Sequence, residues 1–199
     1  MGGLRAASQI ISYELPMGLA LITVLMITGS LKLNEIVAYQ QDNYWLVFLQ
    51  PLGFMIFLIC SFAETNRTPF DLPEAENELI GGYHSEYSSM KMGFFLFAEY
   101  VNMFISSAIL ATLFFGGYDI PFINDAKLKE SIGENWLSAI HFAVLFTKTC
   151  FFIFFYMWVR WTIPRFRYDQ LMNLGWKTLV PLAIFNMLIT GLFILLFNN

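Results

Sequence analysis

Charged residues are scarce. Asp, Glu, Lys and Arg make up 13% of the 199 residues, against about 25% in an ordinary soluble domain. A chain this short has much surface for its volume, and so little charge cannot cover it, which excludes a soluble globular domain and a disordered chain. A basic excess is lacking too: 11 Lys and Arg face 15 Asp and Glu, for a net charge of -4. That excludes a nucleic-acid binder, which needs a positive footprint. Cysteine and histidine number two each. Cys60 and Cys150 lie inside apolar runs with no CxxC spacing and no flanking His, so neither a disulfide nor a metal site is expected. No secretory leader, internal repeat or low-complexity tract is read, and Met1–Ala6 lacks the hydroxyl residue that the myristoylation pattern requires.

What is abundant is apolar. Hydrophobic residues make up 57%, aromatic residues 18%, and Phe alone contributes 22; mean hydropathy is +0.59. This is the composition of an integral membrane protein. The Phe load also fits an AT-rich gene, as in an organelle. A bilayer core of about 30 Å needs roughly 20 apolar residues per helix, and five segments qualify: about 7–31, 46–63, 93–115, 137–159 and 178–197. In hydrocarbon the backbone must satisfy itself, so these runs read as helices, and the ten-residue alternation of a membrane barrel is absent. The expected fold is all-α, a single polytopic membrane domain over 1–199. Pro16, Pro51 and Pro181 are expected near span ends, where a missing N–H costs least.

Five spans place the termini on opposite sides. One side collects Arg5, Arg67, Lys91, Arg160, Arg165, Arg167 and Lys177; the other has Lys32, Lys127 and Lys129. The bias assigns the first side to the cytoplasm or matrix. That side carries two long loops, 64–92 and 160–177. The opposite connections, 32–45 and 116–136, read as ordinary polar surface.

The 64–92 loop is acidic. Asp71, Glu74, Glu76 and Glu78 follow one another closely, flanked by Glu64 and Glu86. Asp71-Leu72-Pro73-Glu74 has the form of a capped helix start, and Gly81-Gly82 that of a stop, predicting a short helix over 72–80. A solvated acidic loop is the bland alternative. Against it, Phe70, Leu72, Leu79 and Ile80 interleave with the acids, and Arg67 sits among them as an ion-pair partner. Crowded carboxylates cannot all ionise in a low dielectric, so some are expected to titrate nearer neutrality and to carry protons. His84 lies in Tyr83-His84-Ser85-Glu86 with no second His or Cys nearby, so no zinc site is expected.

Three charges fall inside spans: Glu14, Glu99 and Lys148. A charge at mid-bilayer costs about 2.5–3.5 kcal/mol on insertion scales, so such residues face the interior of a bundle or water. A structural Glu99–Lys148 ion pair is one reading. The other joins Glu14, Glu64, the 71–78 cluster, Glu86 and Glu99 into a hydrated acidic route from one face inward. In the basic loop, Arg160, Arg165 and Arg167 stand among aromatics around Pro164. Positive-inside anchoring to lipids, headgroup binding and docking of a soluble partner are all compatible with it.

The stretch ETNRTPFDLPEAENELIGGYHSEYSSMKMGFFLFAEY closely resembles the quinone-site membrane subunit of respiratory complex I, which is subunit 1 of the mitochondrial enzyme and the H subunit of the bacterial one. GGLRAASQIISYELPMG, PRFRYDQLMNLGWK and the TKT around Lys148 match as well, so the resemblance covers essentially the whole chain. It implies NADH:ubiquinone oxidoreductase activity in an assembly that translocates protons. Ubiquinone would be the substrate; NADH, flavin and iron–sulfur clusters would sit on partner subunits, and no cofactor on this chain. Carried over by position, the proton and coupling route is Glu14, Glu64, Asp71, Glu74, Glu76, Glu78, Glu86 and Glu99. The quinone-cavity or interface residues are Arg5, Arg67, Phe70, Arg160, Arg165 and Arg167. The implied partners are peripheral iron–sulfur subunits, other membrane-arm subunits and lipids. The family has eight spans and this chain resembles the last five, so the first three are expected on a separate chain from a split gene, with a longer chain of which this is a piece as the alternative. With the Phe bias, that favours the mitochondrial inner membrane over a bacterial plasma membrane. A related membrane-bound hydrogenase subunit and a cation transporter are the alternatives.

Overall fold

Long apolar runs with no turn chemistry inside them become long helices, because only a helix pairs every backbone group within its own segment. The computed structural model describes residues 2–66, 69–71, 87–120 and 134–197. In order these form α1 (Gly2–Thr28), α2 (Leu33–Asp42), α3 (Leu46–Leu49), α4 (Pro51–Glu64), α5 (Ser89–Phe114), α6 (Glu134–Thr162), α7 (Tyr168–Asn173), a π-helical turn (Leu174–Leu179) and α8 (Val180–Phe197). No strand occurs among the described residues. Among the described residues, four helical stretches are long and apolar enough to cross a membrane: Gly3–Thr28, Ser89–Phe114, Trp136–Thr162 and Tyr168–Leu196. The all-helical, polytopic expectation holds.

Several expected boundaries do not. The 46–63 segment is broken at Gln50, whose backbone lies at φ -134 and ψ 65. The ring of Pro51 denies Gln50 the helical region. That leaves α4 as a shorter apolar helix of 14 residues, about 21 Å at the usual rise. Pro16 is not at a span end but inside α1. Pro181 stands near the start of α8, yet inside the continuous stretch Tyr168–Leu196. The turn before it is widened, with the Val180 N–H bonded to the Gly175 carbonyl five residues back. A wider turn makes room for a ring that would crowd a regular one. The basic loop contracts to the non-helical residues 163–167, since nothing after Pro164 in 168–177 breaks a helix.

The 32–45 connection is also more than polar surface. It contains α2, which buries Ile36, Val37 and Gln40. Lys32 pairs with Glu35 at 2.8 Å. That hydrogen bond, with help from Ser30, holds the Glu35 carboxyl below its ordinary value.

Helix α1 is the hub, packed against α4 and α8, while α5 packs chiefly on α6. Tyr13, Ala20, Val24, Ile56, Cys60, Leu110, Phe114, Phe152 and Tyr156 belong to one buried apolar cluster. Polar links run through it. Gln50 Nε2 donates to Thr190 Oγ1 at 2.7 Å, and Asn186 Nδ2 to Thr23 Oγ1 at 3.4 Å. Such bonds tie helices together where apolar contact cannot distinguish protein from lipid. Gly53 sits at this node: a Cβ there would come within 3.0 Å of Gln50 Oε1 and 3.2 Å of Asn186 Nδ2, so a larger residue would press on both polar side chains.

Candidate functional site

The start of α1, the end of α4, the 69–71 segment and the 163–168 link converge at one end of the bundle. Their convergence is stitched by specific bonds. Gln9 is fully buried and donates from Nε2 to the carbonyls of Ala63 (2.8 Å) and Phe70 (2.9 Å). One side chain on α1 thus holds both the last turn of α4 and the chain beyond it. Asn66 between them adopts a left-handed φ of 50, which Asn tolerates better than most residues. One helical turn after Gln9, the hydroxyl of Tyr13 donates to the Leu171 carbonyl at 2.9 Å. The Tyr13 ring meets Phe70 edge-on at 5.5 Å, and Phe70 meets Phe166 at 5.7 Å.

The two predicted loops touch here. The Phe166 N–H donates to the Pro69 carbonyl at 3.2 Å, and Arg165 Nη2 lies 2.9 Å from Asp71 Oδ2. The Asp71 side chain is 6% exposed and that of Arg165 38%. An acid this buried needs a charged partner to stay ionised, and the guanidinium supplies one. Nearby, Ser8 Oγ and Tyr168 OH are 3.1 Å apart, Arg5 lies over the Tyr168 ring at 5.8 Å, and Trp176 Nε1 donates to Ser12 Oγ at 3.0 Å.

Two predicted route residues meet at a cavity. Glu14 from α1 and Glu64 from α4 line a space of about 110 Å³ with Ile10, Tyr13, Met17 and Cys60. Both carboxylates are exposed; the Tyr13 and Cys60 side chains form the buried wall. Glu99 is half-buried on α5. Three residues further along α5, Asn102 Nδ2 donates to the Glu64 carbonyl at 3.4 Å, which draws α5 toward the end of α4. One turn before Glu64, the Ser61 hydroxyl bonds to the buried Tyr156 hydroxyl of α6.

Arg160 and Arg167 are exposed at this end. Arg67, Glu74, Glu76, Glu78 and Glu86, with the predicted 72–80 helix, lie outside the described residues.

The Glu99–Lys148 ion pair does not form. Lys148 sits toward the other end of the bundle, where Nζ donates to the carbonyls of Phe115 (2.7 Å), Gly117 (3.0 Å) and Asp119 (2.6 Å). The Trp45 ring covers the ammonium at 4.9 Å, and Trp45 Nε1 donates to Asp119 Oδ2 at 3.1 Å. Gly116 and Gly117, with φ of 71 and 54, turn these carbonyls inward. Gln40 completes the cap: its Oε1 accepts from the N–H groups of Leu46 and Gly116, and its Nε2 reaches the carbonyls of Thr112 and Leu113. A cation that ends a helix by collecting carbonyls needs no carboxylate partner.

Sequence reasoning overlooked Gln9, Tyr13, Gln40, Trp45 and Asp119. For Gln9 and Tyr13 a signal existed: two hydrogen-bonding side chains four residues apart share one face of an apolar helix, and such a face requires partners. Among the described residues, no three His, Cys, Asp or Glu side chains stand close enough to hold a metal ion.

The family model described as NADH dehydrogenase matches residues 1–191. A protein of Flavobacterium psychrophilum, named as the H subunit of an NADH-quinone oxidoreductase, is 66% identical over 198 residues, covering all of this chain and 57% of the relative. One of the same name from Flavobacterium johnsoniae is 65% identical, covering 98% of this chain and 55% of the relative. NADH-quinone oxidoreductase subunit 8 of Rhodothermus marinus is 52% identical, covering all of this chain and 60% of the relative. The chain thus spans a little over half the length of the curated relatives it matches. With the helical architecture and the match over nearly its whole length, this chain belongs to the NADH dehydrogenase family.

Proposed function

We propose that this chain works within the membrane subunit of a proton-translocating NADH:quinone oxidoreductase. In this role it lines part of the quinone cavity and carries acidic residues that couple quinone reduction to proton movement. NADH, flavin and iron–sulfur clusters belong to partner subunits. The observation that carries the reading is the clustering at one end of the bundle: Glu14 and Glu64 on one cavity, and Asp71 clasped by Arg165 beside Phe70. Relatives at 66% and 65% identity bear the name of that enzyme's subunit. Their source is bacterial, so we assign the chain to a bacterial plasma membrane and not to the mitochondrial inner membrane that the Phe content favoured.

Reduction of a quinone to a quinol takes two electrons, which arrive from the partner subunits, and two protons. Negative charge develops on the quinone oxygens before protonation. That charge changes which of the neighbouring carboxylates hold protons. Glu64 and Glu14 share a cavity and repel one another, so a proton gained by one alters the other. Glu99 stands next on α5, tied through Asn102 to the Glu64 backbone. A protonated and a deprotonated cluster form the two states of a switch.

The experiment is Glu64→Gln and Glu99→Gln in the assembled enzyme. Proton pumping per NADH oxidised should fall while assembly is retained; full pumping in both variants sinks the proposal. Purification in mild detergent tests the class. Flavin and iron–sulfur subunits should accompany the chain, and a nickel–iron subunit in their place would assign it to a hydrogenase. A small three-span companion would identify a split subunit.

A further inference from the structure

The acidic end and the Lys148 end of the bundle are separated by a layer of phenyl rings. On α6, Lys148, Phe152 and Tyr156 stand one turn apart along a single face, so that about 6 Å of helix separates each from the next. Tyr156 belongs to the acidic end through Ser61, and Lys148 to the opposite cap. Phe152, 3% exposed, fills the position between them. Its ring meets that of Phe115 at 5.1 Å. Phe115 meets Phe54 at 5.6 Å, Phe54 meets Phe114 at 5.5 Å, and Phe114 meets Phe57 at 5.7 Å. These rings come from α4, the end of α5 and α6, so the layer lies between three helices, with Phe114 and Phe152 buried and Phe54 and Phe115 half-buried. Two buried hydroxyls on α5 and α6 turn back on their own helices: Thr149 donates to the Leu145 carbonyl and Ser107 to the Met103 carbonyl, both four residues earlier. They do not bridge the layer.

We propose that Phe54, Phe114, Phe115 and Phe152 form a proton barrier that isolates the Lys148 cap from the acidic residues. Protons move along chains of water and hydrogen-bonding groups. A packed apolar constriction stays dry and interrupts such a chain. The barrier prevents protons held by Glu14, Glu64 or Glu99 from leaving along this chain toward Lys148, so they must pass sideways to neighbouring helices. This deepens the proposed function and rests on it for the source of the protons; the barrier itself is a property of the resting protein.

The test uses the complete enzyme in liposomes with an entrapped pH-sensitive dye. Phe152→Ser and Phe115→Ser should raise passive proton leak several-fold with no NADH present, and lower the protons retained per NADH during turnover. Uncoupled NADH:quinone turnover should stay near the parent value, because neither ring belongs to the acidic end. Phe152→Leu should leak like the parent. Phe54→Ser, on a different helix, replaces any serine variant that fails to assemble. An unchanged leak in assembled serine variants overturns the proposal, as does Phe152→Leu leaking as much as Phe152→Ser. Full pumping in the acid-to-amide variants would instead remove the functional reading while leaving the leak result to stand on its own.

Discussion

Arg165 and Asp71, 94 residues apart, form an ion pair of 2.9 Å in which the carboxylate is almost wholly buried and the guanidinium partly exposed. The pair fastens the link before α7 to the segment that leads away from α4. The unequal burial sets the order of mutational damage. Arg165→Ala removes this cation from a buried carboxylate and should cost on the order of 1–2 kcal/mol, discounted for the exposure of Arg165. Asp71→Asn removes the charge and should cost less. The double variant should recover part of the loss of Arg165→Ala. Thermal stability of the assembled enzyme across the four combinations measures this coupling; strict additivity would contradict it.

Gln9 should behave as a fastener and not as a passive core residue. Gln9→Leu fills the same space but leaves the Ala63 and Phe70 carbonyls without their donor, at a cost of about 1–3 kcal/mol. Hydrogen exchange should quicken in the last turn of α4 and at 69–71, and stay unchanged in α6.

Lys148→Met should act on assembly. It removes one donor from each of three carbonyls and leaves the turn after α5 uncapped. The expected result is less assembled enzyme and faster proteolysis near 115–119, with an unchanged KM for quinone in whatever assembles. A raised KM with normal assembly would contradict this assignment.

Glu35 offers a pH prediction with a definite sign. Its folded value lies below the ordinary 4.5 because Lys32 and Ser30 bond to the charged form. Its contribution to holding the start of α2 is therefore complete above about pH 4.5 and is lost as pH falls through the depressed folded value. Protection of the α2 amides, taken relative to the intrinsic exchange rate at each pH, should fall on acidification in the parent. In Glu35→Gln that component should vanish.

Where the sequence could be read directly, the information was local. The 93–115 run predicts Ser89–Phe114 closely because length and apolarity decide a spanning helix residue by residue. The break at Gln50 is legible in Pro51, although a proline near the start of a span reads as harmless. Other features depend on distant partners. Nothing near Gln9 names Ala63 or Phe70, since both partners are backbone carbonyls, which carry no residue identity. Lys148 misled for the same reason: Glu99 was the visible acid, but the carbonyls of 115–119 were the nearer acceptors. Pro16 and Pro181 were placed at ends by their cost to a regular helix, a cost that tertiary packing and a widened turn accommodate.

The widened turn before Pro181 has a consequence for the whole last helix. Regular α-helix advances about 100° per residue, so the 19 steps from Leu171 to Thr190 would leave these two side chains about 100° apart. One surplus residue in Leu174–Leu179 cancels that drift. Leu171, Gly175, Leu179, Ala183, Asn186 and Thr190 are all buried, forming a straight seam toward α1 over some five turns. The widened turn therefore corrects the phase of the helix, letting a rod with the wrong natural pitch stay in contact with its neighbour from one end of the bundle to the other.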